Sequence, residues 1–287
     1  MTIYTRTAIF VLLLAIALAA CEQKGAPPAQ VLATEAFVKH FGPAPVVERG
    51  TCVAFVIFFS SAREPGKVLP LPFFTFDETK VKKVAVERLL AGMEVGSYKE
   101  ETRQPFAAGT RLLGLSEDGG TISVDFSQEI LGIQANEAGQ KALLNALTLT
   151  LTQFAGVSRV QLLVEGEASG LAREPLLPDP AAIVPPSPPR LLSVAAAKEK
   201  GEAEVEEVSA YFDRPVTIRE IALTDAAGNP LEGELFQSVF DMAVVLKPKH
   251  PSRFQAGMPV KVRWAVTDKL GRSAQGEDEL ALEVQEH

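Results

Sequence analysis

The chain has 287 residues, room for two domains of ordinary size, and its 47% hydrophobic and 22% charged composition is that of folded globular protein. A formal net charge of −8 with no basic stripe leaves nothing to neutralise phosphates, so nucleic acid is excluded as an expected partner.

The chain opens with Arg6, an unbroken apolar segment from Ala8 to Ala20, and then Cys21. That is the layout of a secretion signal. Glu22, Gln23 and Lys24 end the run after about 13 residues, short of the ~20 that cross a bilayer as a helix. The tetrapeptide Leu18-Ala19-Ala20-Cys21 resembles the bacterial lipobox. The resemblance implies cleavage before Cys21 and a diacylglycerol on its thiol, so that the lipid membrane is the first expected partner. Glu22 stands where an aspartate would imply inner-membrane retention, so in a host with two membranes the expected place is the outer membrane, facing the periplasm. Cys52 is then the one remaining thiol and no intramolecular disulfide can form; its apolar neighbours in "TCVAFVIFF" mark it as a core residue.

Residues 21–49, rich in Pro, Ala and Gly, read as a tether with a short helical possibility at Thr34–Phe41. Val53–Phe59 reads as a strand buried on both faces, followed by a second strand at Leu71–Phe76. Asp77 as cap, helical spacing through Leu89 and a stop at Gly92 predict a helix over 77–91. The stretch "GMEVGSYKEETRQPFAAG", residues 92–109, has no period and reads as a long displayed loop, in which Tyr98 and Arg103 are the candidate binding side chains. Two strand-like runs about Asp118-Gly119-Gly120 predict a hairpin. Asn136 caps a predicted helix whose Gln140, Leu144, Leu147, Leu151 and Phe154 form one stripe, and "VSRVQLLVEGE" closes the unit as a strand. The order implies an α/β domain, a mixed sheet with two packed helices, over 50–170.

The segments "VIFFSSAREPGKVLPLP", "VERLLAG", "FAAGTRLLGLSEDGGTISVDFSQEI" and "LLNALTLTLTQFAGVSRVQLLVEGE" together resemble the GerMN domain of sporulation and germination proteins. The resemblance implies an extracytoplasmic α/β domain without known catalytic machinery, often carried on lipoproteins; it does not imply that this organism makes spores.

Residues 174–189 hold seven prolines in sixteen positions, within a predicted linker over 171–189 that favours polyproline II. Beyond it, about seven short strand-like runs in about a hundred residues predict an all-β Ig-like sandwich over 190–287. In "VKVRWAV" the alternation puts Val260, Val262, Trp264 and Val266 on one face. The segments "YFDRPV", "IALTDAAGNPL" and "FQAGMPVKVRWAVTDKLGRSAQGEDELALEV" resemble the CopC-like sandwich of periplasmic copper carriers. Where that family has a histidine after the glycine of the late turn, Gly271 is followed here by Arg272.

No nucleophile elbow, phosphate loop, HExxH or paired CxxC occurs. Asp125 and Glu129 are a weak carboxylate pair, Glu202, Glu204, Glu206 and Glu207 read as a solvated face, and His40, His250 and His287 fall in tether, loop and terminus. No catalytic residue, metal ligand set or cofactor is therefore expected. The chain reads as a non-catalytic, membrane-anchored envelope lipoprotein that binds an envelope protein or peptidoglycan; the alternative is a periplasmic copper carrier of CopC-like type.

Overall fold

The computed structural model describes residues 29–93, 98, 100–133, 136–168 and 170–287. The signal segment and Cys21 lie outside the described residues. The first unit contains β1 (Gln30–Ala33), α1 (Glu35–Phe41), β2 (Thr51–Ser61), β3 (Val68–Thr75), α2 (Val81–Ala91), β4 (Thr102–Arg103), β5 (Leu112–Asp118), β6 (Thr121–Phe126), α3 (Glu137–Thr152), β7 (Arg159–Val164) and β8 (Glu167–Ala168). These strands form two sheets. β1-β2-β3 with β4 added to β2 is one, and β5-β6-β7-β8 is the other.

The fold begins earlier than the predicted boundary at residue 50. β1 pairs in parallel with β2, Gln30 opposite Thr51, and the Thr34 hydroxyl caps α1 by accepting from the Phe37 amide. Phe37 and Phe41, four residues apart and so on one helix face, are both buried in the core. A tether of these residues would leave two phenylalanines in water, and burying them is worth roughly 2 kcal/mol each.

β2 is buried from Cys52 to Ser60, as its continuous apolar run predicts. Its edge beyond β1 is closed by side chains of α3. The Gln153 carboxamide accepts from the Val56 amide at 2.8 Å and donates to the Val56 carbonyl at 2.6 Å, and the Thr150 hydroxyl accepts from the Phe58 amide at 3.1 Å. Val56 and Phe58 thus spend these hydrogen bonds on the side away from β3. Opposite them stand Pro72 and Pro70, whose missing N–H groups are not needed in the ladder.

α3 is capped by Asn136, whose carboxamide accepts from the Gly139 amide. The single predicted stripe is too narrow. From Ala142 to Leu151 every residue but Leu144 is buried, because α3 packs against β2, β7 and α2 together. The hairpin and the closing strand form as predicted: β5 and β6 pair across Gly119 and Gly120, both at positive φ, and β7 lies parallel to β6.

The proline-rich segment does not run free. Leu176 bridges Val160 of β7, Ile183 bridges Val68 of β3, and Ala182 and Val184 are buried. An extended chain with few N–H groups still has enough of them to cover two open strand edges: the Leu176 amide donates to the Val160 carbonyl and the Val184 amide to that of Val68.

The second unit is a sandwich of β9 (Leu191–Lys198), β10 (Glu207–Phe212), β11 (Val216–Asp225), β12 (Gly233–Gln237), β13 (Ala243–Pro248), β14 (Pro259–Asp268), β15 (Ser273–Ala281) and β16 (Glu283–Glu286). One sheet runs β12-β13-β10-β9-β16, the other β11-β14-β15. Val260, Val262, Trp264 and Val266 are buried together, and the Trp264 ring meets Phe212 edge-on at 5.6 Å. The sequence predicts a last strand at Glu279–Val284, which overlaps only the end of β15; the start of "SAQGEDELA" carries no apolar alternation to mark it. Gly276 in it leaves room for the indole, since a Cβ there would sit 2.9 Å from the ring.

Candidate functional site

Residues 94–97 and 99 of the 92–109 stretch lie outside the described residues; the two candidate side chains in the rest of it end in different places. Tyr98 is 4% exposed and lies at the seam between the two units, with the Arg190 guanidinium 5.3 Å from its ring centre. Burial, reinforced by the negative charge of Asp213, pushes its phenol well above the ordinary tyrosine value, against the opposing pull of Arg190. The expectation of Tyr98 as a displayed binding anchor is therefore corrected: its ring is used inside the molecule.

From Tyr98 a chain of charges runs along the seam. Arg190 pairs with Glu101 at 2.8 Å, and its amide donates to Asp213 at 3.1 Å. Asp213 pairs with Arg214 at 2.8 Å, and Arg214 stands 3.7 Å from Asp268. Asp268 pairs with Arg272 at 2.6 Å, and Arg272 donates to the His40 carbonyl at 3.1 Å. Arg272 is thus a docking residue between the sandwich and α1.

Arg103 faces elsewhere. β4 sets it opposite Ser60 in the register with β2, and it borders an open cleft of about 660 Å³. The walls are the end of β2 (Ser60, Ser61), the following turn (Ala62, Pro65, Gly66), the segment from Arg103 to Ala108, and the start of α3 with Asn136 and Gly139. Gln104 fixes the segment by donating to the Leu90 carbonyl at the end of α2, and Phe106, 7% exposed, packs on Phe126. Small residues then let the first turn of α3 border the space.

Arg103 is the only charged residue in this lining; it is exposed, and its side chain makes no hydrogen bond or ion pair among the described residues. Ser60 is 3% exposed, and its Oγ has no hydrogen-bond partner among the described residues. The N-terminus of α3 adds a partial positive charge. The charge that the cleft presents is positive, because Arg103 is its one charged side chain. Sequence reasoning found Arg103 but not Ser60, although two serines closing so apolar a strand are a visible irregularity.

The carboxylate pair is put to local use. Asp125 accepts from the Gly166 amide at 2.9 Å, and the Ser127 hydroxyl holds the Glu129 carboxyl below its ordinary range. Cys52 is fully buried, and burial pushes its thiol up. Among the described residues no three His, Cys, Asp or Glu side chains are grouped to hold a metal ion, and no helix is long and apolar enough to cross a membrane.

Residues 57–170 match the family model Germane, "Sporulation and spore germination". No curated protein matches the chain. Among solved structures, the first GerMN domain of the sporulation protein GerM from Bacillus subtilis is 21% identical over 44% of this chain and 96% of that one, with a TM-score of 0.36. CopC from Methylosinus trichosporium OB3b is 16% identical over 34% of this chain and 97% of that one, with a TM-score of 0.24. PcoC, a methionine-rich copper resistance protein from Escherichia coli, is 16% identical over 34% of this chain and 100% of that one, with a TM-score of 0.25. The segment that builds the cleft lies within residues 57–170, the part of the chain that matches Germane.

Proposed function

We propose that this chain is a non-catalytic lipoprotein of the cell envelope, held to the membrane by a lipid on Cys21 and outside the cytoplasm, where it binds an envelope protein or the cell wall. The cleft of the Germane domain carries this reading. The Arg103 side chain and the Ser60 hydroxyl are donors without a partner among the described residues, and strand pairing sets the two opposite each other, which is an arrangement that suits recognition. The sandwich, docked through Arg272 and Arg190, serves as its support.

The copper-carrier reading has no observation in its favour, since Arg272 is committed to Asp268 and to the His40 carbonyl. The test of the proposed function is fractionation followed by crosslinking in cells. The protein should sediment with membranes, shift to the soluble fraction as Cys21→Ser, and carry an envelope component crosslinked at the cleft. Soluble wild-type protein, or a crosslinked fraction with no envelope component, would count against it.

A further inference from the structure

We propose that the cleft binds the terminal carboxylate of a short peptide ending in small residues. The inference rests on the binding-module reading and names the ligand of that same site. A carboxylate is planar, carries one charge and accepts hydrogen bonds on two oxygens, and an unpaired guanidinium offers a fork of matching geometry. Arg103 supplies that fork, since its side chain has neither a carboxylate partner nor a hydrogen bond among the described residues. Backbone N–H groups at the start of α3 favour the same charge.

The independent observation is Ser60. A buried hydroxyl without a partner costs about 1–3 kcal/mol, a cost that a bound acceptor would offset. Among the described residues Ser60 Oγ is such a group, and Ser60 lines the cleft opposite Arg103 in the strand register. Ser60 Oγ is itself shielded from solvent, so a change of rotamer about Cα–Cβ is what would present it to a ligand. One guanidinium and one helix end match a single negative charge better than the nearly double charge of a phosphate monoester at neutral pH.

The rest of the lining selects what the carboxylate is attached to. Ala62, Ala107, Ala108, Pro105 and Gly139 bring methyl groups and bare backbone to the space, and Phe106 adds an apolar wall. Such a surface accommodates alanine-sized side chains. A volume of about 660 Å³ is that of a small-ligand site.

The test is calorimetric titration of the full lipidated chain, in detergent, with acetyl-alanyl-alanine as the L,L and D,D isomers, the corresponding amides, and inorganic phosphate. At least one acid isomer should bind, its amide at least ten times more weakly and phosphate more weakly still. Preference for D,D marks a cell-wall source and preference for L,L a protein C-terminus. Arg103→Gln should weaken the acid at least tenfold and leave the amide unchanged. Ser60→Ala should weaken the acid severalfold while Tm stays or rises, because that hydroxyl has no protein partner to lose; a drop in Tm would mean a structural hydroxyl and overturn its part in binding. Equal binding of acid and amide, binding of phosphate alone, or no binding would overturn the inference. If cells still yield an envelope component crosslinked at the cleft, the proposed function survives that failure and only the ligand class falls.

Discussion

The rings of Phe74 and Phe240 stack face to face, 4.3 Å between centres and 9° between planes, although one belongs to β3 and the other to the β12–β13 connection of the sandwich. Phe76 adds a third ring 6.1 Å from Phe240. With the charge chain from Tyr98 to Arg272, this contact makes the two units one body. A double-mutant cycle of Phe74→Ala and Phe240→Ala should give a coupling of about 1 kcal/mol by chemical denaturation. Additive losses would mean that the rings meet without stabilising the seam.

Arg214 is the pivot of the charge chain. Its side chain is 9% exposed and lies against Asp213 at 6% and Asp268 at 0%. Arg214→Met should cost about 3 kcal/mol, because it leaves two buried carboxylates with half their compensation. Asp213→Asn in the same background should recover part of that loss. Equal stability of Arg214→Met and the parent, measured by urea midpoint at unchanged m, would contradict the arrangement.

His40 makes the seam sensitive to acid. Burial, then the charges of Lys39 and Arg272, lower its imidazole from 6.5 to about 4, and its ring lies edge-on to Phe58 at 5.7 Å. The folded pKa of this base is below the unfolded one, so the unfolded chain binds the extra proton between those values. Stability is fully present above pH 6.5 and falls as pH drops toward 4. Solvent screening of the partly exposed ring reduces the effect to about 1 kcal/mol. His40→Gln should be less sensitive than the parent between pH 7 and pH 5 in denaturation midpoint; identical slopes would show that the ring does not titrate in this way.

Periodicity reveals elements that bury a regular face, and here it located β2, β6, β7, both long helices and β14. It failed where stability comes from particular partners. Phe37 and Phe41 looked like part of a tether because the segment around them is short and proline-flanked, yet they join the core, where the Phe37 ring meets Phe74 edge-on. β15 is held by its pairing with β14 and by Gly276 beneath Trp264, and neither leaves an apolar pattern. Gln153, at the end of α3, bonds to both polar groups of Val56, a partnership that no local pattern marks. In the site, Arg103 was legible as a cation in a loop, whereas the burial of Tyr98 depends on Arg190 and Asp213, nearly a hundred residues away or more.

The account rests on the cleft being the surface that meets a partner, and a photoreactive amino acid placed there tests this most directly. Substituted at Ala108, which lines the cleft, and at Glu220, on the sandwich, it should yield an ultraviolet-dependent adduct in intact cells from the first position only. Arg103→Gln should diminish that adduct while the protein remains in the membrane fraction. Equal adducts from both positions, or one from Glu220 alone, would contradict the assignment and move the binding surface to the sandwich.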